Sequence, residues 1–224
     1  MTAIESRFQA SRSSGEVSAL LERPGDARWL LVLGHGAGAG MRHRFMEAIS
    51  AALASHAIAT FRYQFPYMEK RSGRPDPQPV LLGTVRSAVA AAHSAAPDLP
   101  LLAGGKSMGG RMTSLASADE PLPNVRGLVF FGFPLHPAGK PGIERAQHLE
   151  RVALPMLFLQ GRRDKLAGLG LLAPVLERIG PRATLHVVEE GDHSFAVPKR
   201  SGRSEADVLD DLVRTVASWA EELK

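Results

Sequence analysis

The sequence predicts an α/β protein: a mostly parallel, twisted sheet of about seven or eight strands with helices on both faces, in a single domain spanning residues 1–224. Three observations carry that prediction. Short apolar runs alternate with helix-period segments through most of the chain, the signature of strand–helix–strand crossovers. Several of those runs are almost wholly apolar, as strands covered on both faces must be. A chain of 224 residues is also long enough to bury one core without disulfides or structural metal.

The elements follow in order. Residues 5–21 read as two short strands forming an antiparallel edge, the second of them 16–21. Residues 29–33, "WLLVL", are five consecutive apolar side chains and form the first long strand. A helix follows over 45–55, then a strand over 58–63. Residues 64–79, "QFPYMEKRSGRPDPQP", carry too many prolines and glycines for a helix or central strand and read as a surface loop. Next come a helix over 79–95, a strand over 99–103, a helix over 108–118 and a strand over 127–131. Residues 132–142, "GFPLHPAGKPG", form a second Pro/Gly-rich loop that could border a site. Strand 155–160, helix 169–179 and strand 183–188 continue the alternation. The chain closes with the clearest helix, 206–223, where Leu209, Leu212, Val213, Val216 and Ala220 recur at helical spacing.

Composition removes several function classes. There is no cysteine, so thiol nucleophiles, Cys-ligated zinc and iron–sulfur clusters are excluded. The net charge of +4 comes from scattered basic groups with no interleaved aromatic side chains. Nucleic-acid binding needs a concentrated basic stripe, so no nucleic-acid partner is expected. No histidine pair has metal-ligand spacing beside a carboxylate, and no metal is expected. The longest apolar runs fall far below the roughly 18 residues that span a bilayer. Residues 1–10 include Glu5 and Arg7 and lack a continuous apolar stretch, so no secretory signal or membrane association is expected and the reading is cytoplasmic.

Gly105-Lys106-Ser107-Met108-Gly109 matches Gly-x-Ser-x-Gly between a predicted strand and a predicted helix. In that setting the motif is a tight strand-to-helix turn that holds the serine strained, with Oγ exposed above the sheet. A serine nucleophile then needs a base and an acid that orients it, in the order Ser, Asp/Glu, His. Asp164 lies just past the strand ending at Gln160, and His193 just past the strand ending near Val188. Three separate strand ends thus deliver three complementary side chains to one edge of a parallel sheet, where such sheets place their sites. An oxyanion hole is also required. Met108 N–H, next to the nucleophile, is one donor. The small-residue loop Gly34–Gly40 supplies the other, with Ala37 first and Gly38 its nearest competitor.

These motifs carry a resemblance. "HGAGAGM" (35–41), "FPYMEK" (65–70), "GGKSMGGRM" (104–112), "GFPLHPAGKP" (132–141), "LQGRRD" (159–164) and "GDHSF" (191–195) resemble the α/β-hydrolase superfamily. In particular they resemble its small, cap-poor, dienelactone-hydrolase-like branch and the bacterial relatives of the NSL-complex subunit and testis-expressed hydrolase-like proteins. The resemblance implies an α/β-hydrolase fold, with Ser107 as nucleophile, His193 as general base and Asp164 as its orienting acid. Serine stands where dienelactone hydrolases have cysteine, so their lactone chemistry is not implied. Some eukaryotic relatives are complex subunits, which leaves a non-catalytic interaction scaffold as the second function class.

The reading is a carboxylesterase-like serine hydrolase acting on a small acyl substrate, with no cofactor and, at most, a second copy of the chain as protein partner. Only 23 residues, 132–154, separate two predicted strands, too few for a large cap, so short acyl chains are expected. Phe65, Tyr67, Phe133 and Leu135 read either as an apolar acyl pocket, with His136 at its entrance, or as loop residues packed on the sheet edge. Other readings compete at single positions. A glycine-rich helix-capping turn would account for Ser107 taken alone, and Asp192 rivals Asp164. His35 reads as a loop-bracing hydrogen bonder. "GGKS" fails as a P-loop because Pro100 stands where glycine is required. Gly34–Ala39 fits a loose dinucleotide pattern, but the next strand ends in Phe61-Arg62-Tyr63 without the acid that binds a ribose; Arg62 could instead meet a 2′-phosphate.

Overall fold

The computed structural model describes residues 3–11 and 13–223. Met1, Thr2, Arg12 and Lys224, which fall inside the predicted domain 1–224, lie outside the described residues. Eight strands form one sheet: β1 (Ile4–Ser11), β2 (Gly15–Glu22), β3 (Trp29–Gly34), β4 (Ile58–Tyr63), β5 (Leu101–Lys106), β6 (Val125–Phe131), β7 (Met156–Gly161) and β8 (Ala183–Val188). Their order is β1-β2-β4-β3-β5-β6-β7-β8. β2 pairs antiparallel with both β1 and β4, and every other pairing is parallel. The predicted antiparallel edge is therefore the β1–β2 hairpin.

Period-2 alternation divides the apolar strands between two cores. On β3, Leu30 and Val32 face one core while Trp29, Leu31 and Leu33 face the other. Phe130 and Val129 on β6, and Phe158 and Leu157 on β7, divide in the same way. The first core is closed by α3 (Gln78–Ala95), α4 (Met108–Asp119) and α5 (Leu169–Ile179). The second is closed by α1 (Arg44–Ala54) and α6 (Glu205–Glu221). α6 begins at a capping box. Ser204 Oγ accepts from Asp207 N–H at 3.1 Å, and Asp207 Oδ2 accepts from Ser204 N–H at 2.7 Å. This satisfies two helix-end donors reciprocally.

Two elements differ from the sequence reading. The fifth strand runs to Lys106 rather than stopping at Ala103. Gly104-Gly105 signals a turn by composition, yet here the glycines sit inside the sheet because neighbouring backbone leaves no room for a Cβ. A Cβ on Gly104 would collide with the Val129 carbonyl of β6. The loop 64–79 also contains a short helix, α2 (Pro66–Glu69), with Pro66 in its first turn, where the missing N–H costs nothing. Glu69 ties that helix to the sheet, its carboxylate accepting from Ser18 N–H at 3.1 Å and Ser18 Oγ at 2.9 Å. Residues 132–154 contain one 3₁₀ segment, Glu144–Arg151. Among the described residues, no helix is long and apolar enough to cross a membrane.

Candidate active site

β5 ends one residue before Ser107, which has φ 51° and ψ −112°. That left-handed conformation costs a non-glycine residue on the order of 1–3 kcal/mol. It persists because the flanking chain is tightly held. Ser107 N–H donates to Phe131 O at 3.1 Å, and Arg111 N–H donates to Ser107 O at 3.1 Å. A Cβ on either Gly105 or Gly109 would collide with the Gly34 carbonyl of β3, so both motif glycines are needed for α4 to start this close to the sheet. The Ser107 side chain does not cap α4, which removes the capping-turn reading. Its Oγ instead lies 2.9 Å from His193 Nε2.

The other ring nitrogen, His193 Nδ1, lies 2.7 Å from Asp164 Oδ2. Asp164 follows β7 and its side chain is fully buried. Its carboxylate also takes a 2.5 Å bond from Gln160 Nε2 and a 2.7 Å bond from Leu166 N–H. An ionised carboxylate only accepts, so Nδ1 carries the imidazole proton and Nε2 is left to accept from the Ser107 hydroxyl. Asp192 plays a different part. Its Oδ1 accepts from Ser194 N–H at 2.8 Å and Ala196 N–H at 3.0 Å, folding the loop that carries His193.

Two cavities meet at Ser107. One, of about 480 Å³, is lined by Gly36, Ala37, Ala39, His43, Arg44, Phe45, Met46, Lys106, Leu166, His193, Ser194 and Glu205. The other, of about 410 Å³, runs past Met108, Leu81, Arg111, Pro134, Arg145 and Asp76. Ala37 borders both, while Gly38 borders neither. Met108 is the first residue of α4, where backbone N–H groups lack intrahelical partners. Burial lowers the Arg111 pKa, and the neighbouring Arg145 lowers it further.

The proposed acyl-pocket residues require correction. Phe65, Tyr67, Phe133 and Leu135 are at most 1% exposed, belong to the first core and line neither cavity. Their backbones lie in the loops as expected, but the side chains turn inward. Phe65 meets His35 edge-on at 5.0 Å, and Phe133 packs on Phe130 at 5.3 Å. His136 is also buried, its Nδ1 2.8 Å from Pro137 O, and lines neither cavity. Pro134 is the residue of that loop that reaches the cleft.

His35 is buried, with Nε2 accepting from Phe65 N–H at 3.1 Å and Nδ1 2.8 Å from Gly36 O. Arg62 pairs with Glu22 at 3.1 Å, so the guanidinium that the dinucleotide reading needed is already engaged. Among the described residues, no group of three or more His, Asp or Glu side chains is placed to hold a metal ion.

Sequence reasoning missed Gln160 and Lys106. Gln160 bridges Asp164 and the Phe133 N–H, which donates to its Oε1 at 3.0 Å. An amide in the otherwise apolar strand "MLFLQG" was the available signal.

Comparison with known proteins adds to this geometry. The family model described as alpha/beta hydrolase domain matches residues 27–221. The chain is similar in fold to a dienelactone hydrolase from Anabaena variabilis, with a TM-score of 0.75, 19% identity and 99% of each chain covered. It is similar to an alpha-beta serine hydrolase homologue from Coxiella burnetii, with a TM-score of 0.76, 18% identity and 97% of each chain covered. A third match is a serine hydrolase without lid from Xanthomonas campestris, with a TM-score of 0.73, 19% identity and coverage of 98% of this chain and 95% of that one.

Proposed function

The chain belongs to the alpha/beta hydrolase domain family, and on that premise we propose that it is a serine hydrolase that cleaves the ester, or a related acyl bond, of a small substrate. The observation supporting this most strongly is the continuous contact from Ser107 Oγ through His193 to Asp164, at 2.9 and 2.7 Å. An interaction scaffold would need none of these contacts.

Ser107 Oγ attacks the acyl carbonyl while His193 Nε2 takes its proton, and Asp164 holds the imidazole tautomer and stabilises the imidazolium. Met108 N–H and Ala37 N–H hold the tetrahedral oxyanion, a contribution worth about 3–4 kcal/mol per donor in such sites. Collapse breaks the bond to the leaving alkoxide, which leaves with the proton from His193. Water then attacks the acyl-enzyme, giving its proton to His193. The second tetrahedral species collapses to the free acid as its bond to Ser107 Oγ breaks and Oγ takes the proton back from His193. The open cleft and the absence of room for a large cap favour short acyl groups.

Turnover of p-nitrophenyl acetate, butyrate and decanoate tests the reading. We expect acetate and butyrate to be cleaved faster than decanoate, and Ser107→Ala to abolish turnover with the melting temperature preserved. Retained activity in Ser107→Ala would remove the assignment.

A further inference from the structure

Lys106 occupies the variable position directly before the nucleophile and is the last residue of β5. Its Nζ donates a 2.5 Å hydrogen bond to the backbone carbonyl of His193. The same ammonium lies 5.2 Å from the centroid of the Phe195 ring and 5.7 Å from that of Phe45. Those two rings stack on one another at 5.9 Å and 21°. Phe45 belongs to α1 and Phe195 to the histidine loop. One lysine therefore joins the nucleophile's strand, a covering helix and the segment that carries the base.

A lysine on a cleft wall is usually turned toward water or a carboxylate. Here the ammonium is directed at one backbone carbonyl, which is bonded to the Cα that carries the imidazole. The loop it grips is strained, with Glu190 at φ 58° and Phe195 at φ 66°, and left-handed non-glycine residues persist only where the surroundings hold them. We propose that Lys106 is a positioning residue: its ammonium clamps the His193 carbonyl against the Phe45–Phe195 stack and so fixes the imidazole within reach of Ser107. The proposal rests on His193 being the general base. It also excludes the lysine as an alternative base, because an ammonium donating to a carbonyl cannot accept the Ser107 proton.

The clamp depends on the positive charge, since a neutral amine is a weaker donor and loses its attraction to the ring faces. The Lys106 pKa is lowered to about 8, first by burial, with Asp164 and Asp192 partly opposing the shift. The other charged or titratable groups facing this cavity are His193 itself, His43, Arg44 and Glu205. Deprotonation of Lys106 would loosen the histidine loop and produce an alkaline fall in kcat.

The experiment compares wild type, Lys106→Met and Lys106→Arg for p-nitrophenyl acetate kinetics from pH 6 to 10 and for the rate of fluorophosphonate labelling. A displaced base costs roughly 10- to 100-fold. We therefore expect Lys106→Met to lower kcat and labelling by that factor with KM changed less than about twofold. Lys106→Arg should recover most of the loss and move the alkaline limb beyond that of wild type. Labelling of wild type at Ser107 with an equal rate in Lys106→Met overturns the clamp and leaves the hydrolase reading intact. Failure of wild type itself to label overturns the reading on which the clamp rests. Should Lys106→Met melt below assay temperature, identical alkaline limbs in wild type and Lys106→Arg overturn the proposal.

Discussion

His193 Nδ1 and Asp164 Oδ2 meet at 2.7 Å although they lie 29 residues apart, on the loops after two adjacent parallel strands. The sheet sets that distance. β7 and β8 run in register from Met156↔Ala183 to Gly161↔Val188, so the two loops leave the same edge side by side. A Cβ on Gly161 would overlap the Gly191 and Asp192 carbonyls, which shows how closely the loops pack. The imidazole is thus oriented by backbone geometry as much as by the carboxylate.

Replacing Asp164 with Asn should keep the fold and remove most of the activity. The amide is nearly isosteric, but its NH₂ can turn toward Nδ1 and favour the tautomer with the proton on Nε2, where it cannot accept from Ser107. A loss of about 10³–10⁴-fold in kcat is expected, measured as p-nitrophenyl butyrate hydrolysis near neutral pH. A loss below tenfold would mean that Asp164 does not set the tautomer.

Gln160→Leu should be costly for stability as well as rate. It removes the 2.5 Å donor to buried Asp164 and strands the Phe133 N–H that Gln160 Oε1 accepts. Leaving a buried polar group without a partner costs about 1–3 kcal/mol. Urea unfolding should register that loss, with kcat falling in parallel because Asp164 is less firmly held. Unchanged stability would show that water replaces the amide.

Acid should destabilise the protein below about pH 6.5. Burial is the main cause that lowers the pKa of both His35 and His148 to about 4; nearby positive charge adds to it, from His43 for His35 and from Arg111 and Arg151 for His148. The unfolded chain therefore binds protons on these groups before the folded one does. Stability is complete above the unfolded value near 6.5, falls as pH drops toward 4, and then levels off. Between pH 7 and 5 each histidine should contribute about 2 kcal/mol of loss. Urea titrations at the two pH values, with His148→Asn showing a smaller pH difference than wild type, check this. Equal stability at pH 7 and 5 would contradict it.

The Arg111–Arg145 wall gives a prediction about charge. Arg111 is partly desolvated and faces a like charge, with Arg145 itself donating to the His136 carbonyl at 3.1 Å. An acyl group ending in a carboxylate would meet both guanidiniums in the 410 Å³ cavity beside Ser107. The p-nitrophenyl half-ester of glutarate should therefore show a severalfold lower KM than p-nitrophenyl butyrate. Arg111→Met should erase that difference and raise stability slightly, because a partly desolvated charge beside Arg145 is removed. Equal KM values for the two esters in wild type would take charge recognition out of the account.

The residues that meet at Ser107 were legible in the sequence because each lies in the segment that follows a predicted strand, in the order Ser, Asp, His. Ser107, Asp164 and His193 needed only that placement and their order. Gln160 and Lys106 were not legible, since Gln160 bridges the Asp164 carboxylate and the Phe133 N–H, and Lys106 meets the His193 carbonyl, all on loops whose paths local sequence does not set. Side-chain direction within a loop is equally hidden. Phe65 and Tyr67 lie in a segment that reads as a surface loop, yet their rings enter the core around His35. The extension of β5 through Gly104-Gly105 was masked for a related reason. Glycine signals turns on its own, and only the neighbouring strands reveal that it is there to admit backbone.

The proposed reaction needs Ser107 to be activated by a base already in place. Fluorophosphonate treatment of the purified protein, read by intact mass and peptide mapping, tests it most directly. A single adduct on Ser107, absent in Ser107→Ala and strongly slowed in His193→Ala, is the result predicted. Folded wild-type protein that gains no adduct, or gains one elsewhere while Ser107 stays unmodified, would show that Ser107 is not an activated nucleophile.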